Sequence, residues 1–395
     1  MIDSPPEIDL VRPGLYAHGD PYTQWRWLRA NDPVHRHRPT ELPAFWAVTR
    51  YADVREVYSD HETFSSAQGI LLRPEEHGTD PGGGRTLALT DPPRHRRLRG
   101  LVDDWFAVRS VRTIEAEMAD IAHGVVKRAL DAGSCDFVAD VAARVPLYVI
   151  CRMMGVPESD WEHMYALTSQ AFGGADALTR RVSHLELLGY FEELRTTRAQ
   201  NPGEDLVSVL ATAEIDGARL DPQDVILNCD NLFVGGTENT RIAAAGGMLA
   251  FLEHPDQWQA LVEDPSLLNS SVEEVLRWTS TATHIMRTAT RPVTMHDRRI
   301  AAGDRVVLWL PSADRDESVF DEPDRFDIRR RPNRHLALGF GEHFCLGSML
   351  ARVELRLLYR ELLTESPRIA LDGSPKLLDS IVVNGPEHLP VTFGR

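Results

Sequence analysis

Cys345 stands in the segment HLALGFGEHFCLGSMLARVEL, residues 335–355. Gly339 and Gly341 flank Phe340 just before it, and Gly347 follows two positions on. Glycines let the backbone fold tightly around one sulfur and turn amide N–H groups toward it. The pattern that follows, through Ala351 and Arg352, predicts a helix, whose N-terminus favours an anion and lowers the thiol pKa. A thiolate dressed this way suits a metal ligand; the competing reading is a small buried hydrophobe in a Gly-rich turn. The other cysteines, Cys135, Cys151 and Cys229, are scattered and make no C-x-x-C pair, so a zinc ribbon or a disulfide framework is not expected.

Three further groupings carry chemistry. In LFVGGTENTR, residues 232–241, two adjacent glycines interrupt a long helical pattern. Each costs about 1 kcal/mol against alanine in a helix. Something gains from the missing side chains at Gly235 and Gly236: either a ligand approaches the helix there, or another helix packs closely on it. In LTDPPRHRRLRGLV, residues 89–102, Pro92–Pro93 suits a helix start, and His95 and Arg99 fall on one face, where both can reach one carboxylate. The alternative for this run is a merely basic surface helix, with arginines free to meet an acidic electron donor. Glu274 and Arg277 are an i,i+3 carboxylate–guanidinium pair, a common and usually solvated arrangement.

Together these segments resemble the cytochrome P450 superfamily, in its soluble bacterial type. Gly341, His343, Cys345 and Gly347 match the family's Phe-x-x-Gly-x-His/Arg-x-Cys-x-Gly haem loop, with Leu338 where the family has Phe. The resemblance implies a non-covalent haem b with Cys345 as its axial thiolate, which favours O–O cleavage by pushing electron density onto oxygen. Glu274-x-x-Arg277, about 70 residues before the cysteine, resembles the family's buried structural pair. Arg287 lies ten residues after Arg277, where the family's strand carries a haem-propionate ligand. By the same resemblance His95, Arg99, Arg287 and His343 neutralise two propionates, whose burial otherwise costs several kcal/mol per charge. Phe340, Gly341 and Gly347 belong to the cofactor-binding loop. ADRDESVFDEPDRFDIRR, residues 313–330, resembles the family's meander, and recognisable pieces run in family order over nearly the whole chain.

The distal segment departs from the family. Gly235, Gly236, Thr237 and Glu238 match its Ala/Gly-Gly-x-Asp/Glu-Thr order, but Asn239 stands where the threonine belongs. In the family the acid and the alcohol relay protons to the distal oxygen. Asparagine donates and accepts hydrogen bonds but cannot pass a proton as a hydroxyl does. Thr240 is one residue on, about 100° around the helix, and so points elsewhere. Glu238 and Asn239 are therefore expected to manage distal protons with a substrate hydroxyl or an ordered water completing the relay. The alternative is oxidative chemistry without oxygen insertion.

The elements that must position these groups are mainly helical. Helices are predicted at 93–106, 111–132, 139–154, 158–172, 180–199, 204–214, 221–253, 270–280 and 347–365, after a first third with helices at 20–30 and 51–59. Short strands are read at 33–35, 45–49 and 306–310, and irregular stretches at 68–86 and 312–334. Phe172 with Gly173–Gly174 suggests a mobile lid between two helices. By family resemblance, substrate contacts come from 68–88, 158–199, 281–286 and 381–384. The fold class expected is mainly α with small β-sheets: one domain over 1–395, its haem lying between a long central helix and the cysteine loop.

The chain has 395 residues, 43% apolar and 26% charged, with a net charge of −16. That balance argues against non-specific binding to nucleic acid or anionic membrane. No apolar run approaches the ~18 residues of a transmembrane span, and MIDSPPEIDLVRPG resembles no secretory signal. A cytoplasmic monomer is expected, fed electrons by a separate ferredoxin and ferredoxin reductase because no flavin or iron–sulfur module is seen. The expected activity is O2-dependent hydroxylation or epoxidation of a natural-product intermediate in secondary-metabolite or antibiotic biosynthesis, free or tethered to a carrier protein. The rivals are oxidative C–C or C–O coupling of an aromatic or carrier-tethered substrate, and a non-catalytic haem-binding recruitment or sensor protein.

Overall fold

A computed structural model describes residues 7–74, 80–173, 176–366 and 368–394. Its centre is a helix of 32 residues, Pro222–Glu253. The side chain of Asp221 accepts from Gln223 N and Pro222 occupies the first turn, which together start it. Cys229, Phe233, Ile242 and Ala243–Ala245 are all buried, so this helix is wrapped on most sides rather than on one stripe. Helices Arg144–Met154, Ala177–Gln200, Leu268–Thr279 and Ser348–Glu365 pack against it.

A five-stranded sheet flanks this helical body. Its spatial order is Val34–His37, Phe45–Val48, Arg305–Trp309, His284–Ala289, Phe64–Ser65. The Phe45 and Arg305 strands run parallel and the other pairs antiparallel, with Val306 opposite Arg287. Tyr16, Trp25, Phe45 and Trp309 fill one side of the sheet, Tyr16 and Trp309 stacking at 6.4 Å. Val54, Val57, Tyr58 and Phe320 fill another core against it. The sheet therefore carries Arg287 from its solid support into the interior.

The helices at 93–106, 158–172, 221–253, 270–280 and 347–365 are found within a few residues. So are those at 20–30, 51–59, 180–199 and 204–214, while at two others the pattern misled. The stretch 111–132 is two helices, Val108–Thr113 and Glu115–Ala132, meeting at Ile114 (φ −100°, ψ 2°). Apolar spacing runs across that junction, so periodicity hides the change of direction. Helix 139–154 begins instead as a π-helical turn, Val138–Ala142, before Arg144–Met154. Phe137 N bonds to Leu389 O and Asp136 accepts from Leu389 N, so the C-terminal strand competes for the backbone there. A helix at Pro255–Glu263 and the strands from Arg368 to Gly394 were unforeseen.

The buried pair Glu274–Arg277 holds the irregular meander. Its two nitrogen–oxygen contacts are both 2.8 Å, and neither residue is exposed at all. Arg277 also donates to the carbonyls of Asp314, Pro323 and Arg325. Glu274 accepts from Asp327 N, Asn333 and Arg330. Every polar atom of the pair thus has a partner, the condition under which a buried ion pair holds structure.

Candidate active site

The cysteine loop is shaped by backbone contacts. Cys345 N donates to Leu338 O at 2.9 Å, closing the turn, and Phe344 N donates to Gly341 O. Gly341 has φ +71°, and a Cβ there would stand 2.7 Å from Tyr58 O, so both conformation and space demand glycine. Leu338, in the place of the family's Phe, packs against the helical core. Phe340 goes elsewhere: its ring lies under the Arg55 guanidinium at 4.4 Å and against the sheet-side core. It does not join the cluster of cationic residues below.

Cys345 is half-buried at the start of Ser348–Glu365, with Gly347 in the N-cap position. Its thiol pKa is raised, not lowered as the helix terminus suggested. Burial outweighs the opposing pull of the Gly347 N–H, Arg99 and Arg352. A positive ion bound to the sulfur would reverse that balance.

Four cationic or basic side chains converge beside this loop. The His95 and His343 rings are 4.3 Å apart. Arg287 is buried, donating to Met286 O and lying 5.3 Å from the Tyr58 ring. No ion pair ties it to a carboxylate among the described residues. Arg99 bonds Asp103 and, at 2.8 Å, Phe344 O, which places its guanidinium on the rim of the loop. Burial first, then Arg287, His95 and Arg99, depress the His343 pKa to about 2. Burial and then Arg99 lower that of His95. His95 Nδ1 is buried with no hydrogen-bond partner among the described residues. A buried Arg287 with no carboxylate among the described residues, next to a buried histidine nitrogen without a partner, signals a missing anionic group.

The rest of the basic helix Arg94–Phe106 is not free. Arg94 pairs with Asp224 at 2.8 Å, Arg96 with Glu342 and Arg97 with Asp216. Each of these arginines has a carboxylate of the same chain beside it, while Arg96 and Arg97 remain 61% and 49% exposed on the surface.

The long helix, which packs against Ser348–Glu365, has an open face of its own. Gly235 and Asn239, one turn apart, are solvent-accessible although Phe233, Thr237 and Ile242 around them are buried. The two glycines do different things. A Cβ on Gly236 would meet Ile150 at 3.2 Å, so this glycine serves helix packing. A Cβ on Gly235 would meet nothing within 4 Å, so this one opens space. Glu238 does not face that space freely, for it pairs with Arg241 at 2.7 Å. Thr240 is buried and, as its helical angle requires, turned away, toward Glu354. Asn239 Oδ1 accepts from Thr281 Oγ1 at 3.2 Å.

The recognition segments are tied together. Thr283 N donates to Val382 O, Asn384 N to Thr281 O, and Met286 N to Ile70 O. His284, fully buried, accepts from Leu72 N at Nε2, while its Nδ1 lies 2.6 Å from Ile381 O. Its pKa is held down to about 4 by burial, so the neutral ring makes both bonds. Asn228 on the long helix binds Leu87 N and Arg85 O. The lid prediction rests on Gly174, which lies outside the described residues; Phe172, 39% exposed, ends helix Trp161–Gly173 beside it. His184 on the following helix reaches Asp230 of the long helix at 3.2 Å. Two surface clefts, at Tyr51–Ser59 with Pro332 and at Gln68–Pro74 with Arg305, contain neither Cys345 nor Asn239.

The sequence placed Thr281 and His284 only within an expected contact segment, without their partners, and gave no role to Glu354. Glu354 is buried with neither carboxyl oxygen in hydrogen-bond geometry. Burial pushes its pKa to about 8, only partly opposed by the nearby Thr240 hydroxyl. A glutamate inside the apolar run of Ser348–Glu365 was the available signal, since charged residues are almost never fully buried without a partner.

Comparison with known proteins decides the family. A family model for cytochrome P450 matches residues 181–365. Cytochrome P450 NovI of Streptomyces niveus is 38% identical, the match covering 98% of this chain and 96% of that protein. The chain belongs to the cytochrome P450 family. The steroid C26-monooxygenase of Mycolicibacterium smegmatis is 36% identical, with 98% of this P450 and 96% of that protein covered. The crystal structure of P450 OxyD, involved in the biosynthesis of vancomycin-type antibiotics, superposes with a TM-score of 0.92 at 39% identity. It covers 98% of this chain and 100% of that one. The fold is thus the P450 fold, mainly helical with small sheets, and the protein is a P450-type monooxygenase, an oxidoreductase. The family holds haem iron on a cysteine thiolate. The residues present fit that group: a half-buried thiol, an orphaned His95 nitrogen, a buried Arg287 without a carboxylate, and a helix face cleared at Gly235. No described helix is long and apolar enough to cross a membrane.

Proposed function

We propose that this P450 hydroxylates or epoxidises a natural-product intermediate, with electrons from a separate ferredoxin and its reductase. Cys345 holds the iron, and His95, Arg99, Arg287 and His343 receive the two propionates. The bound haem supplies O2 activation, for which a thiolate ligand is suited. Gly235 leaves open space on its face of the long helix. Asn239 offers hydrogen bonds to whatever occupies that room, and Glu238, held by Arg241, stands back from it. The observation that carries this reading is a buried Arg287 with no carboxylate and an orphaned His95 nitrogen among the described residues, in a fold whose central helix is open at Gly235 and Asn239. Similarity over 98% of the chain to P450 OxyD supports a biosynthetic substrate.

An optical titration tests the reading. A free small molecule that moves the iron from low to high spin has displaced its bound water, and its chemical class defines the substrate. A response only to carrier-tethered compounds would favour the coupling alternative. Haem bound without consumption of reducing equivalents, whatever the donor and ligand, would favour a recruitment or sensor role.

A further inference from the structure

The family's distal alcohol is missing from this helix, and the structure shows what hydroxyl takes up its neighbourhood. Thr237 is buried and bonds back to Val234 O at 3.3 Å. Thr240 is turned toward Glu354. The hydroxyl that reaches Asn239 comes from outside the helix: Thr281 Oγ1 donates to Asn239 Oδ1, 42 residues away in sequence.

Thr281 is held in place from both sides. Before it, Ser280 adopts φ +39° and donates its hydroxyl to buried Asp314 at 3.0 Å. After it, Ala282 bridges to Val383, and Thr281 O itself accepts from Asn384 N at 2.9 Å. A residue fixed this firmly presents its hydroxyl at one point. Asn239, by contrast, is a solvent-accessible side chain on the open face. Its Oδ1 is taken by Thr281, while its Nδ2 has no partner among the described residues. An amide fixed by its oxygen keeps its N–H donors in one orientation. A donor placed beforehand costs no reorganisation when it is needed.

We propose that Thr281 is a positioning residue for the distal side. Its hydroxyl anchors the Asn239 carboxamide so that Nδ2 points as a fixed hydrogen-bond donor into the space cleared by Gly235. Two residues from two elements thereby supply the fixed distal hydrogen bond that one helix alcohol supplies in the family's usual pattern, though not its proton transfer. The proposal deepens the monooxygenase reading and rests on it.

The test uses the full-length haem-loaded protein, reduced and exposed to carbon monoxide, with the C–O stretching frequency as the probe of a distal donor. Thr281→Val keeps the shape and removes the hydroxyl; Thr281→Ser keeps the hydroxyl. Thr281→Val is expected to raise and broaden the C–O band, and Thr281→Ser to leave it at the wild-type position. With Asn239 already changed to Ala, Thr281→Val should add no further shift, because the hydroxyl acts through the amide. In turnover, Thr281→Val should raise the share of electrons appearing as hydrogen peroxide several-fold, and Thr281→Ser should not. A wild-type band in Thr281→Val, or an equal shift in the Asn239→Ala background, would overturn the pairing while leaving the monooxygenase reading intact. A wild-type protein with no thiolate–haem spectrum overturns both.

Discussion

Two buried charge clusters in this molecule look alike in composition and differ in what surrounds them. Around Glu274 and Arg277 every charge meets an opposite charge or a carbonyl, and the group knits a helix to the meander. Around Arg287 and His343 four basic side chains converge, and among the described residues His95 Nδ1 has no partner and Arg287 has no carboxylate. The first cluster is complete within the chain; the second is complete only with an anionic ligand. Buried charge alone therefore does not distinguish scaffold from site. The state of its hydrogen bonds does.

The sharpest way to break this contrast is Glu274→Ala. It strands Arg277 in the interior, where loss of one partner costs about 3–5 kcal/mol, and thermal unfolding should show a chain near the limit of stability. Next comes Glu354, a buried carboxyl in neither cluster. Its pKa is raised from 4.5 to about 8, so the native state keeps a proton that the unfolded chain has lost. Its stability contribution is full below pH ~4.5 and is lost as pH rises to about 8, the curve flattening beyond. At about 1.4 kcal/mol per pKa unit the loss amounts to a few kcal/mol. Glu354→Gln should flatten that slope in denaturant titrations from pH 5 to 8; an unchanged slope would remove the buried acid as its source.

Arg287→Leu should behave in the opposite sense from Glu274→Ala. The haem-free protein should be as stable as the wild type or more so, because an unsatisfied buried cation is gone, while haem is held about ten- to a hundredfold more weakly, or ~1.4–2.8 kcal/mol. Equal destabilisation of both forms would make Arg287 scaffold. The smallest effect is expected at Arg97→Ala, since the Arg97–Asp216 pair is exposed at both ends. Its loss should stay below ~1 kcal/mol in the same unfolding assay.

Much of this was legible in the sequence because it is local. The loop around Cys345 and the Glu274–Arg277 pair each fit within a dozen residues, and the long helix signals itself by sustained apolar content and by its glycines. What was hidden depends on distance or on brevity. Thr281 acquires meaning only through a contact with Asn239 across two elements, and His284 only by bonding Leu72 and Ile381 at once. The strands after Arg368 are two to five residues long, too short for an alternation to stand out. Phe340 lies within the loop pattern, but its ring's contacts with Arg55 and the sheet-side core depend on distant elements that no local pattern announces. Even the paired glycines, alike on paper, are separated only by what a methyl group would touch.

That last division sets how the pocket can change over generations. Ile150 crowds position 236, where a Cβ would stand 3.2 Å from its side chain and Ile150 would have to shift to admit it. Position 235 pays no such penalty in the protein itself, and its only constraint is the ligand it faces. A methyl or hydroxymethyl group introduced there would alter which molecules fit without disturbing the architecture. The adjacent glycine would keep the helices in register throughout. Tolerance to mutation and control of selectivity thus sit side by side on one turn, which makes residue 235 a natural dial for a lineage, or an engineer, seeking a new substrate.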